Sequence, residues 1–320
     1  MQNLKNPLVV NSKQNEDRFD EKIFSLQEVL RDSREEPDPV IGNGILLNQT
    51  LLLISGKKKT LKTMLTMNLA LGLANGKTFS LFEIHKKHRV LLLSAEGGYF
   101  PNRRRIKKMS KRFSSKDEIK LDLSFDSRLR IDLRDGQNRL REILKHFKPE
   151  VLILDPLIKF HNCEENSSKE MNVVMTQLRN LIEDFNISII LVHHMGKNET
   201  SGPRGSSAIQ GEYDSSIEMS WKDRSNKELK MEFDLRHSES PDPKTVVFNP
   251  DTFWFEKPGK PSIVELVVSD QGPISRKDLA ERLVANGTYK NITGAYKPIK
   301  ILEKKKTIIL NSDGLLICAK

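Results

Sequence analysis

A chain of 320 residues, 37% hydrophobic and 30% charged, is long enough for one sizeable α/β core plus a smaller appendage, and its aliphatic runs exclude a disordered polymer. The 53 lysines and arginines against 43 acidic residues leave a net charge of +10 and a pI near 9.4, which a polyanionic partner or ordinary basicity explains equally. Cys163 and Cys318 share no paired spacing, so a disulfide framework or zinc site has no support, and no stretch approaches the ~18 apolar residues of a membrane span, so a cytoplasmic protein without membrane contact is expected.

Residues 1–40 read as a polar arm with one short amphipathic helix, "EKIFSLQEVLRDS", in which Ile23, Leu26, Val29 and Leu30 recur at helical spacing. "REEPDPVIGNG" breaks that helix, and from Ile45 the pattern becomes short aliphatic strands alternating with helices. Strands are expected at 50–55, 89–96, 129–133, 150–156 and 187–194, with helices at 62–75, 101–113, 136–147 and 168–185. Nearly continuous aliphatic strands are buried on both faces, so this alternation predicts a mostly parallel sheet flanked by helices, an α/β fold. "SSIEMSW", "KELKMEFDLRH", "KTVVFN" and "FWFE" alternate apolar with polar residues and predict an antiparallel extension of that sheet. "EKPGKPS" places a boundary near 256, giving a core over 41–256 and a domain over 257–320. That last segment predicts a helix at 262–269, a second one capped by Ser275, a third in "NITGAYKPIKILEKK" and a terminal hairpin, together a small winged helix-turn-helix.

"LLLISGKKKTLKTML" nearly matches a phosphate-binding loop, G-x-x-x-x-G-K-[ST], between a strand and a helix. The loop comprises Gly56, Lys57, Lys58, Lys59, Thr60, Leu61, Lys62 and Thr63, with Leu61 where the second glycine belongs. Backbone N–H groups at a helix N-terminus suit a phosphate, a lysine reaches the terminal phosphates and a hydroxyl suits Mg²⁺; a lysine-rich surface turn is the plain alternative. Three further strand ends support the nucleotide reading. "EVLILDP" ends in Asp155, a carboxylate for Mg²⁺; "RVLLLSAEGG" ends in Glu96, which can polarise a water or simply cap a helix; "IILVHHMGK" ends in His193 and His194, which can donate to a γ-phosphate or be structural. All four ends belong to the carboxyl edge of a parallel sheet, where such folds place ligands.

Across roughly residues 40–255 the chain resembles the RecA-fold ATPases, and within them the RepA-like hexameric replicative helicases of plasmids and phages, through "LLLISGKKKTLKT", "VLLLSAEGG", "VLILDPLIKFHNCEEN", "ILVHHMGK" and "PRGSSAIQG". The resemblance implies ATP hydrolysis at subunit interfaces of a ring acting on DNA, single-stranded in the first instance. It implies Lys62 on phosphate, Thr63 and Asp155 on Mg²⁺, Glu96 as the catalytic carboxylate and His194 or His193 as sensor. By the same resemblance the loop 196–211 faces DNA, with Lys197 and Arg204 as contacts, and Arg236 in "FDLRHSES" is a finger toward the next subunit's γ-phosphate. An ordinary solvated loop and an ordinary strand-end arginine are the alternatives. The basic run "RRRIKKMSKR" reads as a solvated helix or a phosphate contact, and Lys290, Lys297 and Lys300, interleaved with Tyr289 and Tyr296, suit nucleic acid or protein contacts. Leu61 departs from the usual loop, which keeps a second reading open: a DNA-binding RecA-fold scaffold with little or no ATP hydrolysis.

Overall fold

The computed structural model describes residues 23–113, 119–126, 128–194, 207–258, 264, 267–268, 272–285, 287–304 and 307–318, within two units, Met1–Pro37 and Asp38–Lys320. In the first unit the expected amphipathic segment forms only the six-residue helix α1 (Leu26–Arg31). A capping box starts it: the Ser25 hydroxyl accepts the Glu28 N–H, and the Glu28 carboxylate accepts the Ser25 N–H. Its apolar residues Leu26, Val29 and Leu30 are exposed.

The second unit is built on a nine-stranded sheet. Its strands are β1 (Leu51–Gly56), β2 (Val90–Ser94), β3 (Leu121–Ser124), β4 (Val151–Asp155), β5 (Ser188–Val192), β6 (Ser215–Asp223), β7 (Glu228–Leu235), β8 (Lys244–Phe248) and β9 (Phe255–Glu256), in the order β3-β2-β4-β5-β1-β6-β7-β8-β9. The first six neighbours in that order are mutually parallel, and β7 to β9 continue antiparallel, so β6 is the strand at which direction changes. The helices are α2 (Lys62–Asn75), α3 (Tyr99–Met109), α4 (Arg134–Phe147), α5 (Ser168–Phe185) and α6 (Ser207–Glu212).

Side chains alternate across a strand, and the two cores follow from that. Leu52 and Ile54, Leu92, Ile153 and Ile190 join one apolar cluster with Leu65 and Leu69 of α2 and Met109 of α3. Leu51 and Leu53, Leu91 and Leu93, Leu152 and Leu154 join the other, with Leu140 and Leu144 of α4 and Met171 and Leu178 of α5. The aliphatic runs are continuous because both faces are covered.

One expected strand is corrected. "LRIDL" (129–133) is not a strand, and the edge position beside β2 is taken by β3, paired in parallel from Val90↔Leu121 to Leu93↔Ser124. The alternation at 129–133 comes from a loop that buries Leu129 and Ile131 and exposes Leu133. That loop is pressed against the first turn of α4, where a Cβ on Gly136 would lie 1.7 Å from the Arg130 carbonyl oxygen; glycine is what allows the approach.

At the C-terminal end of the second unit, helices Arg276–Ala285 and Ile292–Lys304 and a hairpin of Ile308–Leu310 with Leu316–Cys318 enclose a separate cluster that includes Val264, Leu279, Leu283, Ile299 and Leu316. The Ser275 hydroxyl accepts the Asp278 N–H at 3.1 Å, the expected cap. Of the helix expected at 262–269 only Val264, Val267 and Val268 are described, all helical. No helix among the described residues is long and apolar enough to cross a membrane.

Candidate functional site

β1 ends at Gly56, where φ is +147° and a Cβ would stand 2.4 Å from the Met219 carbonyl oxygen on β6. No other residue fits there, so the first glycine of the loop is obligatory. The second is not. Leu61, the N-cap of α2, takes φ 61° and ψ 24°, the left-handed conformation a glycine would adopt. Lys59 has φ 66°, so two left-handed residues alternate in the loop. Such alternation makes a concave nest of backbone N–H groups, and α2 brings its positive dipole end to the same place. A leucine held this way costs about 1–2 kcal/mol, a local strain that the half-buried side chain offsets by packing on the apolar cluster around α2.

Loop carbonyls are turned away and bonded. The buried Lys62 ammonium donates to the carbonyls of Gly56 (2.7 Å) and Lys57 (2.9 Å), and the Thr60 hydroxyl donates to Lys57 (2.8 Å). The Trp221 indole N–H donates to the Lys59 carbonyl at 3.1 Å. Burial pushes the Lys62 pKa down to about 8 against the attraction of Asp155 and Glu96.

Asp155, at the end of β4, is wholly buried and accepts hydroxyl hydrogen bonds from Thr63 (3.3 Å) and Thr66 (2.8 Å) on α2. Burial pushes its pKa up to about 6, which the two hydroxyls and Lys62 only partly oppose. A buried carboxylate beside a hydroxyl is a donor set that fits Mg²⁺, which takes few protein ligands and keeps the rest for water and phosphate oxygens.

Residues 59–64, Glu96, Gly97, Arg105 and His194 line one cavity of about 410 Å³. Glu96 lies two residues beyond β2, and its backbone carbonyl accepts the amide of the buried Asn102 at 2.7 Å. Asn102 also accepts from the Arg105 guanidinium at 3.0 Å, so one turn of α3 holds both groups. Burial, and the nearby Lys62, lower the His194 pKa, leaving a neutral imidazole at pH 7. The histidine pair divides: His194 lines the cavity, whereas His193 is fully buried with Nδ1 3.5 Å from Glu165.

Other expected site residues lie elsewhere. Arg236 stands at the amino edge of the sheet, where it donates to the Gly211 carbonyl at 3.0 Å; the register Leu52↔Ser215↔Leu235 puts it level with Leu51, five strand residues or roughly 17 Å from the loop of its own chain. Lys290, Lys297 and Lys300 are exposed at and on helix Ile292–Lys304. Lys197 and Arg204 lie outside the described residues. Thr66, Asn102, Arg105 and Trp221 are site residues that motif reading passes over. Thr66 is one turn from Thr63 on the same helix face, a spacing the sequence shows, while Trp221 reaches the loop only because β6 runs beside β1.

A parallel sheet with this loop at the carboxyl end of β1 and an acidic residue at the end of β4 defines a RecA-fold P-loop ATPase. The chain belongs to the AAA domain family, whose model matches residues 16–200. No protein of curated function matches it. Among solved structures it is similar to an ATPase domain, with 12% identity, a TM-score of 0.52 and coverage of 66% of this chain and 86% of that one. It is similar at 12% identity and a TM-score of 0.52 to a DnaB-like replicative helicase, over 66% of this chain and 58% of the other. The likeness is one of fold, and the matched part spans somewhat over half of that longer protein.

Proposed function

We propose that the chain is a DNA-stimulated ATPase, most concretely a RepA-like ring helicase of a mobile-element replication system. The observation that carries this reading is the gathering of Lys62, Thr63, Asp155, Glu96 and His194 at one carboxyl edge, around a loop that keeps its nest without its second glycine. On this reading Lys62 exchanges its loop carbonyls for the terminal phosphates of ATP, and the backbone N–H groups of residues 57–63 cradle them. Thr63 and Asp155 would hold Mg²⁺, which when bound would neutralise phosphate charge and keep the Asp155 carboxyl ionised. Glu96 accepts a proton from the attacking water, with its backbone anchored by Asn102. His194, neutral and able to donate, reads the γ-phosphate; the second histidine, facing Glu165, is a support behind it.

Arg236 is too far from its own loop to serve it, so a finger role requires a neighbouring subunit, as in a ring. The likeness in fold to a replicative helicase supports a DNA-acting motor. The loop bearing Lys197 and Arg204 follows β5 in the chain and is the proposed DNA contact. A division into an arm (1–40), an ATPase core (41–256) and a winged-helix-like domain (257–320) is supported by the separate apolar cluster of the last segment, whose exposed Lys290, Lys297 and Lys300 are offered to nucleic acid.

The test is ATP turnover with and without single-stranded DNA, for the wild type and Lys62→Ala. Turnover in the wild type that DNA raises and Lys62→Ala abolishes is the expected result. Wild-type turnover no higher than the mutant's would leave the scaffold reading. For Arg236, the Arg236→Ala protein should still assemble yet lose turnover, and loss of assembly alone would make it a structural residue.

A further inference from the structure

Trp221 stands outside every motif in the sequence, yet its hydrogen bond reaches the phosphate-binding loop. On β6 the residues Ile217, Met219 and Trp221 share one face, the face covered by α2. Ile217 and Met219 are buried in the apolar cluster on that face, and Trp221, next in the alternation, emerges at the carboxyl edge where the register pairs Gly56 with Met219. The strand is irregular immediately beyond, between Trp221 and Asp223, and such bulges re-aim a side chain. The half-buried ring carries the Arg224 guanidinium 5.7 Å from its centroid, and its N–H donates to the Lys59 carbonyl at 3.1 Å.

Lys59 is one of the two left-handed residues that give the loop its nest, and the other is Leu61, where glycine is missing. Neither residue favours that conformation, so the loop needs something beyond its own sequence to remain open toward a phosphate. Lys62 and Thr60 bond the carbonyls at its start, Gly56 and Lys57. The Lys59 carbonyl, which lies between the two strained positions, is held from outside the loop by β6. We infer that Trp221 is a positioning residue of the nucleotide site: by fixing the Lys59 carbonyl outward it keeps the adjoining N–H groups turned inward, and so supplies from a neighbouring strand the restraint that a glycine at position 61 makes unnecessary. The inference rests on the nucleotide reading of the loop given above. It also makes Trp221 a reporter of occupancy, because the chain's other tryptophan, Trp254, is buried with its N–H on the Met109 carbonyl.

Four proteins test it: the wild type, Trp221→Phe, Leu61→Gly and the double variant, each titrated with a fluorescent N-methylanthraniloyl ATP and Mg²⁺ after circular dichroism has confirmed folding. Trp221→Phe keeps an aromatic ring and removes the donor, and affinity should fall about threefold to tenfold, the range of one hydrogen bond. The same substitution made in the Leu61→Gly background should cost less than about twofold, since a glycine holds the left-handed conformation unaided. Equal losses in both backgrounds would show that the indole acts by packing alone and would overturn the inference, as would unchanged affinity in Trp221→Phe. Absence of binding by the wild type would instead overturn the nucleotide reading and, with it, this role. Should Trp221→Phe not fold, the wild type decides: its intrinsic tryptophan emission should change on saturation with unlabelled ATP and Mg²⁺, and a flat response where calorimetry shows binding would count against the clamp.

Discussion

Replacing Leu61 separates backbone strain from side-chain burial at the most unusual position of the loop. With φ 61° and ψ 24°, any residue carrying a Cβ pays about 1–2 kcal/mol there, and glycine pays nothing. Leu61→Ala keeps that cost and loses the leucine's contacts, roughly 1 kcal/mol for a half-buried side chain. Leu61→Gly loses the same contacts and loosens the unfolded chain by about 0.4–1 kcal/mol, but relieves the strain. The terms that differ between the two variants leave glycine ahead by about 0.5–1 kcal/mol, at a helix N-terminus where alanine is also a poor cap. Urea unfolding of both variants, followed by circular dichroism and compared at equal slope, measures this difference directly. An alanine variant more stable than the glycine variant would refute the left-handed assignment, and with it the account of how this loop keeps a nest without its glycine.

The remaining expectations concern the same edge of the sheet. Gly56→Ala should destabilise by about 2 kcal/mol or more, because its Cβ would meet the Met219 carbonyl at 2.4 Å; a urea midpoint unchanged from the wild type would contradict the close approach of β1 and β6. Asp155, raised to about 6 by burial, binds its proton more tightly in the folded chain than in the unfolded one, so its contribution is fully present below about pH 4 and is lost as pH rises through 6. Without metal, Asp155→Asn should therefore flatten that part of the stability profile and raise stability at pH 7.5 by about 1–2 kcal/mol, net of a weakened hydroxyl bond; a less stable variant at pH 7.5 would show that the ionised carboxylate is not penalised. Arg105→Ala should lower ATP turnover at least about tenfold while thermal stability barely moves, because its guanidinium lines the cavity; unchanged turnover would confine it to its bond with Asn102.

Much of the fold is legible in the chain because burial on both faces leaves a signal that needs no partner to be read. The runs at β1, β2, β4 and β5 are aliphatic but for their ends, and each is recognisable alone. The segment at 129–133 misled for the same reason that the others succeeded: alternation of Leu129, Ile131 and Leu133 is also what a loop produces when it drapes over a core, and the approach of Gly136 to Arg130 that makes it a loop is a contact. The true edge strand, "LDLS", is four residues with a mixed burial pattern and carries little periodic signal.

The site divides along the same line. Lys62, Thr63, Asp155, Glu96 and the histidine pair are readable as the ends of strands and the start of a helix, since the chemistry demands those residue types in those local settings. The sequence by itself determined where a loop of phosphate-binding pattern would stand and which carboxylates would lie beside it. Only the tertiary structure decided that Leu61 adopts the glycine conformation, that His194 and not His193 lines the cavity, that Arg236 lies at the far edge, and that Trp221 reaches Lys59. The last two depend on which strand runs beside which. Strand order is set by long-range pairing, here β6 against β1 across more than a hundred and fifty residues of chain, and local pattern holds no record of it.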